Sequence, residues 1–227
     1  KIGFAIYFLG LFNLMFNWGH HIYTLPTSQY IKYISYIVSM TELILVFRMI
    51  LQWRGTLDTT RKHFHILSYR LLIAADIWVL LTLILSIGMS MPAINIYTHG
   101  THVTVGHTMG ATIGINSFLL FAYVFDILGK NATSHPSIKR WFSAAYWLAN
   151  VSLFLFWISL IGAGVQKAAW QMASKSSPFS TMMAGLKPYF IVFFISGLGV
   201  CLALLTWIVI LFKCRRKSDL LNDEQFL

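Results

Sequence analysis

Three histidines lie inside stretches of this chain that are otherwise apolar: His20, His21 and His107. Imidazole is the usual protein ligand of iron, copper and haem, and ionisable groups inside apolar spans generally mark a cofactor or an ion pathway. At 1.5 Å per residue, His20 and His21 lie roughly 8 Å before the end of one run, and His107 lies at a similar depth after the start of another. The residues alone therefore predict a metal or haem site, with an interhelical hydrogen bond as the alternative for each histidine.

His20 and His21 are consecutive, and this has a geometric consequence. Successive residues of an α-helix point about 100° apart, so both rings reach one small ion only where the helix ends or bends. Gly19 and Pro26 allow such a bend. We therefore expect an irregular helix around the two histidines.

Two acidic residues also lie within apolar runs, Glu42 and Asp76. Arg70 is close to Asp76 in the sequence and near the same predicted membrane face, so we expect these two to form an ion pair. Glu42 is an ionisable group within an apolar run, which usually marks a pathway or a cofactor site.

Membrane helices must position these side chains. Hydrophobic residues make up 57 % of the chain and charged residues 11 %, with a mean hydropathy of +0.69, whereas soluble domains average about 45–50 % and about 25 %. Six apolar runs are each long enough to cross a hydrocarbon core of about 30 Å: 2–24, 31–53, 69–91, 102–128, 141–165 and 188–212. We predict an all-α polytopic transmembrane bundle of six helices, forming a single membrane domain over residues 1–227.

The basic residues predict the orientation of this bundle in the lipid bilayer. The connections at 54–68 and 129–140 and the C-terminal tail carry clusters of Lys and Arg, whereas 25–30 and 92–101 contain none and 166–187 has three lysines over 22 residues. By the positive-inside rule, the basic connections and both termini are cytoplasmic. The formal charge of +10 belongs to these connections, so we do not expect a nucleic-acid partner.

The cysteines and the first residue suggest what else the chain contains. Cys201 and Cys214 form no CxxC pair, so neither a disulfide framework nor a thiolate metal site is predicted. The chain begins at Lys1, directly in an apolar run without the cleavage site of a signal peptide. We therefore expect a fragment, with an N-terminal half missing.

Two motifs resemble the haem–copper oxidase superfamily. Residues 17–21 (NWGHH), followed by Pro26, are similar to its seventh helix, whose paired histidines ligate the non-haem metal. Residues 97–107 (YTHGTHVTVGH) are similar to its tenth helix, whose last histidine is the proximal haem ligand. Glu42 stands 21 residues beyond His21, where the large catalytic subunit of bacterial nitric oxide reductase keeps a glutamate. The chain most resembles that subunit, as helices seven to twelve of twelve.

The resemblance implies roles for individual residues. His20 and His21 would ligate a non-haem iron, His107 would be the axial ligand of a high-spin catalytic haem b, and Glu42 would tune the iron site or deliver protons. His99 would stand at the outer mouth near the haem propionates, although a solvated loop histidine is the alternative. The third metal histidine and a further glutamate would come from the missing N-terminal half.

The resemblance also implies an activity and its setting. The activity would be the reduction of two nitric oxide molecules to nitrous oxide and water in the bacterial cytoplasmic (inner) membrane. Electrons would pass through a low-spin haem b from a cytochrome c subunit or from quinol. No CxxCH motif occurs in the chain, so a cytochrome c would be a separate subunit.

One position departs from the family pattern. The tenth helix of the family usually carries His-x-His, and the second histidine binds the low-spin haem on the opposite side, as the roughly 200° between residues i and i+2 allows. This chain has Met109 at that position. Methionine can ligate haem iron, so we hypothesise that Met109 binds the low-spin haem; the alternative is a packing residue. A series of small residues follows the same helix and predicts either haem contact or close helix packing: Gly106, Gly110, Ala111 and Gly114.

Three other functions compete with nitric oxide reduction. An oxygen reductase of the superfamily needs a redox-active tyrosine, which the most similar branch carries just ahead of the paired histidines, and residues 8–19 contain none. Nitric oxide dismutation would use the same scaffold. A proton or metal-ion transporter would need polar residues at successive depths, whereas these histidines share one layer.

Overall fold

The computed structural model describes residues 2–63, 66–128, 136–173 and 177–224, and these ranges contain helices and no β-strand. The α-helices of the described ranges are α1 to α9: Ile2–Phe16, Gln29–Met40, Glu42–His63, Ile66–Ser90, Pro92–Thr98, His102–Met109, Phe118–Leu128, Pro136–Met172 and Phe179–Glu224. A 3₁₀ segment, Asn17–Ile22, continues α1, and a π-helical segment, Gly110–Ser117, joins α6 to α7.

The predicted all-α membrane bundle is confirmed. Five stretches of the described chain are helical, long and apolar enough to cross a membrane: Gln29–Gln52, Ile66–Ser90, His102–Leu128, Pro136–Met172 and Phe179–Arg215. They correspond to the second to sixth predicted spans. The chain is therefore a multi-pass membrane protein.

The first predicted span, 2–24, has a different form. Its α-helix, α1, is only 15 residues long, and the 3₁₀ segment adds 6 residues. At about 1.5 Å per α-helical residue and about 2.0 Å per 3₁₀ residue, the two together would extend roughly 34 Å if collinear. The first predicted span is therefore long enough to cross the membrane if its two segments are collinear, but it is not one regular α-helix. Its crossing stays a prediction.

The helices extend beyond the predicted membrane boundaries. Helix α3 continues to His63 through most of the predicted connection at 54–68, and α8 and α9 contain 37 and 46 residues. Hydropathy marks where the apolar environment ends, and Lys and Arg are good helix formers, so a helix can continue beyond that boundary. The part of the 129–140 connection before residue 136 lies outside the described residues.

The main hydrophobic core lies among α4, α7, α8 and α9. Trp207 of α9 is fully buried, with its ring centroid 5.5 Å from Phe118 and 6.0 Å from Phe142. By contrast, α1 exposes large apolar side chains such as Phe4 and Phe8. Helix α4 thus belongs to a packed core on one side and faces the N-terminal helices on the other.

The structure gives Arg70 partners other than Asp76, with which we expected an ion pair. Its guanidinium carbon lies 4.4 Å from the ring centroid of Tyr146, and Nη2 donates to the Ser143 hydroxyl at 3.3 Å. Six residues along a helix correspond to about 9 Å and a rotation of about 240°, so the two side chains of α4 point in different directions. Arg70 therefore connects α4 to α8.

The glycines of the fourth predicted span serve close helix packing. A β-carbon on Gly110 would lie 2.6 Å from Thr82, and one on Gly114 would lie 2.5 Å from the Trp78 ring. At Gly106 the nearest neighbour would be Leu160 of α8 at 3.4 Å. Close helix packing is therefore observed at these three glycines, and haem contact by this series stays a prediction.

The packing at Gly114 predicts a loss of stability on substitution. We expect Gly114→Ala to destabilise the protein by about 1–3 kcal/mol, because the methyl group would overlap the buried ring of Trp78. The measurement is the thermal unfolding temperature of the purified protein in detergent. Gly88→Ala is the matched control: nothing lies within 4 Å of its β-carbon position, so this variant should unfold at the wild-type temperature or slightly higher.

Candidate functional site

A cavity of about 590 Å³ lies between the N-terminal helices and the fourth predicted span. Four predicted site residues line it, and they come from three separate parts of the chain: His20 and His21 from the 3₁₀ segment, Glu42 from α3 and His107 from α6. The other walls are largely apolar and include Val79, Leu83, Met89, Ala111 and Ile115. A largely apolar cleft of this size with a few convergent polar groups is typical of cofactor sites.

The predicted irregularity at the paired histidines is present. The backbone tightens into the 3₁₀ segment, and the two rings lie with centroids 4.2 Å apart at 41°. Gly19 packs directly against Ser35 of α2, where a β-carbon would overlap the serine side chain. Both imidazoles line the cavity, but they differ in exposure, because His20 is buried and His21 is exposed.

Two serine hydroxyls hold the ring of His20. The Nδ1 atom lies 3.3 Å from Ser39 Oγ of α2 and 3.5 Å from Ser90 Oγ at the end of α4. Both serines are fully buried, and His20 is only 8 % exposed. Metal-binding histidines usually hydrogen-bond through the nitrogen that does not bind the metal. With Nδ1 facing the hydroxyls, Nε2 is the nitrogen suited to bind a metal.

Glu42 lines the cavity from a position directly after a one-residue turn in the second span. The Thr41 hydroxyl donates to the Val38 carbonyl at 2.6 Å, and Thr41 lies in a turn between α2 and α3. Glu42 is therefore the first residue of α3, where a helix N-terminus favours a negative charge. The side chain is 4 % exposed, so it forms a buried carboxyl group in the cavity wall.

His107 lines the cavity from α6, whereas the paired histidines line it from the 3₁₀ segment. Its Nδ1 atom is buried and has no hydrogen-bond partner among the described residues. His102 Nδ1 shares this feature, so it is the position of His107 in the cavity wall that makes this ring suited to a bound group.

Met109 points away from this cavity. It is half-buried, packs against the hydrophobic core and is not one of the residues that line the space around His107. The two-residue separation therefore has the predicted effect of directing the two side chains to different faces of α6. Haem binding by Met109 stays a prediction.

The two histidines before His107 have separate environments. The ring centroid of His99 is 6.1 Å from that of His21, and the following Gly100 has a positive φ of 71° and accepts a hydrogen bond from Lys167 Nζ at 3.0 Å. His102 stacks edge-on to Phe190 of α9 at 5.3 Å. His99 is thus adjacent to the site, while His102 packs between helices rather than lying in a solvated loop.

Within the described ranges, no three His, Cys, Asp or Glu side chains converge closely enough to hold one ion. His20, His21 and His107 therefore do not form a single three-ligand centre. The expectation is two iron sites, one at the paired histidines and one at His107. The assignment of ligands stays a prediction.

The serines around His20 were not among the predicted site residues, although the sequence contains a signal for them. Polar residues recur at helical spacing in two apolar runs, and all of them are buried: Ser35, Ser39 and Glu42 in the second, and Thr82, Ser86 and Ser90 in the third. Polar side chains in membrane helices usually face the bundle interior. Such a stripe identifies the helix face that borders the site.

Comparison with known proteins agrees with this architecture. The family described as "Cytochrome C and Quinol oxidase polypeptide I" matches residues 2–199. The "Cytochrome c oxidase subunit 1 homolog" of Agrobacterium tumefaciens (strain T37) is 24 % identical over 119 residues, which are 48 % of this chain and 22 % of that relative. The match thus spans about a fifth of the relative's length. Because the family match covers most of the chain, including the residues lining the cavity, the chain belongs to the cytochrome c and quinol oxidase polypeptide I family, the haem–copper oxidase subunit I family.

Proposed function

We propose that this chain is the C-terminal half of the catalytic subunit of a nitric oxide reductase. The reaction consumes two NO, two electrons and two protons and yields N₂O and H₂O. The observation that carries the proposal is the single cavity lined by His20, His21, Glu42 and His107. This is the residue set by which the sequence resembles the nitric oxide reductase branch of the superfamily.

The donor set fits iron. We propose that His107 holds a high-spin haem b and that His20 and His21 hold a non-haem iron, with further ligands from the remaining part of the subunit. Imidazole nitrogen suits both kinds of iron site. The bound iron centres would supply electrons to the substrate and hold it while the N–N bond forms.

The residues of this chain have definable tasks around those centres. Ser39 and Ser90 orient the His20 ring through Nδ1, and the apolar walls exclude water and admit an uncharged diatomic gas. Glu42, a buried carboxyl group in the same wall, can hold a proton close to where the product oxygen leaves as water. The chain thus contributes ligands, their orientation and a proton-holding group.

Oxygen reduction is the second candidate, because the Agrobacterium relative is named as a cytochrome c oxidase subunit 1 homolog. Against it, the described residues that line the cavity include no tyrosine, which the oxygen reductases of the superfamily need. Nitric oxide dismutation would use the same donor set. Nitric oxide reduction is therefore the proposal that the residues favour.

The test is turnover by the purified complex. With a reduced cytochrome c or quinol as donor, we expect NO consumption with one N₂O formed per two NO, at a rate well above O₂ consumption. Oxygen reduction without N₂O formation would assign the chain to the oxidases instead. A dithionite-reduced spectrum without haem bands would exclude both reductases and favour a proton or metal-ion transporter.

The setting of this activity is proposed from the resemblance and the charge pattern. The chain would lie in a bacterial cytoplasmic membrane with both termini cytoplasmic, and a cytochrome c subunit or quinol would supply electrons. An exposed polar stripe, Thr108, Thr112 and Asn116, runs along the face of the fourth span beside Met109. Polar groups rarely face lipid, which supports coverage of this face by the N-terminal half of the subunit.

The low-spin haem gives a prediction for Met109. If Met109 is its ligand, Met109→Ala should abolish the low-spin haem absorption or lower its reduction potential, because a thioether ligand raises the potential. Redox titration followed by optical spectroscopy measures both quantities. Val105→Ala, one turn earlier on the same partly exposed face, is the control. An unchanged spectrum and potential in Met109→Ala would leave Met109 as a packing residue.

Ser39 gives a prediction for the non-haem metal. Ser39→Ala removes a hydroxyl that faces His20 Nδ1, and we expect the complex to lose non-haem iron at about tenfold lower chelator concentration. Haem content should not change, because Ser39 is not among the residues lining the cavity. Ser35→Ala, one helical turn earlier and packed against Gly19, is the control. Equal iron retention in Ser39→Ala and wild type would contradict the orienting role.

A further inference from the structure

A groove between α8 and α9 is separate from the candidate site. Its volume is about 680 Å³, and it runs between the first two turns of α8 and the C-terminal part of α9. Six apolar residues form most of its wall: Ile138, Trp141, Leu202, Leu205, Val209 and Ile210. The polar residues that line it are Ser137, Thr206 and Lys213.

The polar groups of the groove are concentrated at one end. Thr206 Oγ1 already donates to the Leu202 carbonyl at 2.7 Å, so Lys213 and Ser137 are the groups suited to a ligand. Both lie next to the basic stretches of the chain. Residues 136–141 and 213–215 together contain four basic residues and no acidic one: Lys139, Arg140, Lys213 and Arg215. Lys213 lines this end of the groove and the adjoining sequence is basic, so this end is cationic.

The rest of the groove lies at the depth of the hydrocarbon. Leu202, Leu205 and Val209 are 60 %, 56 % and 51 % exposed, and they belong to the most apolar of the candidate spans. The distance along α9 from Leu202 to Lys213 is about 16 Å. Trp141 lies at the cationic end, as tryptophans at a membrane interface commonly do. The groove thus has an apolar length and one charged end.

We propose that this groove binds a phospholipid with an anionic headgroup. The headgroup phosphate lies against Lys213 and Ser137, and an acyl chain lies along Leu202, Leu205 and Val209. An amphiphile with one negative end matches both the charge and the polarity of the walls. Basic pockets between membrane helices bind anionic lipid headgroups by this complementarity.

Native mass spectrometry of the delipidated complex tests the proposal. The probes are phosphatidylglycerol and phosphatidylcholine with identical acyl chains. We expect the wild-type complex to retain phosphatidylglycerol preferentially, and Lys213→Ala to lower that retention about fivefold, the effect of one basic residue near a lipid headgroup. Leu205→Trp, which fills the apolar part of the groove, should lower retention of both lipids.

The control is Lys187→Ala, an exposed lysine of α9 near its other end, which should retain phosphatidylglycerol as the wild type does. Equal retention of the two lipids by the wild type, or equal retention of phosphatidylglycerol by Lys213→Ala and wild type, would overturn the proposal. A wild-type complex that retains neither lipid would also overturn it, because another helix would then occupy the groove. These outcomes do not depend on whether the complex reduces nitric oxide.

Discussion

Replacing His107 with alanine is expected to remove the proposed catalytic haem and to lower the proposed NO reduction at least a hundredfold. The physical reason is that His107 is the histidine by which α6 contributes to the cavity wall. Loss even of a residue that only supports a metal ligand typically lowers metal affinity or activity 10–100-fold. Haem content by pyridine haemochrome and N₂O formation by the purified complex are the measurements. The low-spin haem should remain, because its proposed ligand Met109 lies on the other face of α6.

His102→Ala is the matched control for this experiment. His102 lies five residues earlier on the same helix, stacks on Phe190 and is not among the residues lining the cavity, so its variant should keep full haem content. Added imidazole should partly restore the haem in His107→Ala, since the truncated side chain leaves room for a free ligand. Full haem content and activity in His107→Ala without imidazole would refute the axial role.

Replacing His21 with alanine is expected to leave both proposed haems and to remove the proposed non-haem iron. His21 lines the cavity beside His20 but is itself exposed, so its loss should affect the metal more than the fold. We expect the iron content to fall to that of the haems alone and NO reduction to fall at least a hundredfold. Elemental analysis together with haem quantification gives the ratio of total iron to haem.

His20→Ala should lose the same iron but also unfold at a lower temperature. Its ring is buried between Ser39 and Ser90. Its removal therefore leaves a cavity, and two buried hydroxyl groups each lose their hydrogen bond to Nδ1. Thr24→Ala, an exposed change just beyond the 3₁₀ segment, should alter neither iron nor stability. If His21→Ala kept its full iron content, the paired histidines would not be a metal site.

Much of the fold was predictable because hydropathy in membrane helices reports directly on the solvent. Five of the six predicted spans are helices of sufficient length and apolarity. The helix ends were less predictable: Lys139 and Arg140 lie just before the apolar run 141–165 and yet belong to α8. Local hydropathy reports where the hydrocarbon ends, whereas a helix continues as long as its backbone hydrogen bonds are favourable.

The candidate site was predictable in its residue types and less so in its surroundings. His20, His21, Glu42 and His107 were identified from their depth and motifs, and they line one cavity. Ser90 was not identified, because its contact with His20 joins residues 70 positions apart. No local pattern specifies which of several polar residues in a helix will meet a given ring.

By itself, the sequence determined that this is a helical membrane protein, because the length of an apolar span follows from the thickness of the bilayer. The common depth of its histidines stays a prediction. Only the tertiary structure decided which side chains meet. It placed Arg70 against Tyr146 rather than Asp76 and turned Nδ1 of His20 toward two serines. It also used the glycines near His107 for helix packing. The reason is that contacts between helices depend on the rotation and separation of whole helices, and these are set by packing across the bundle.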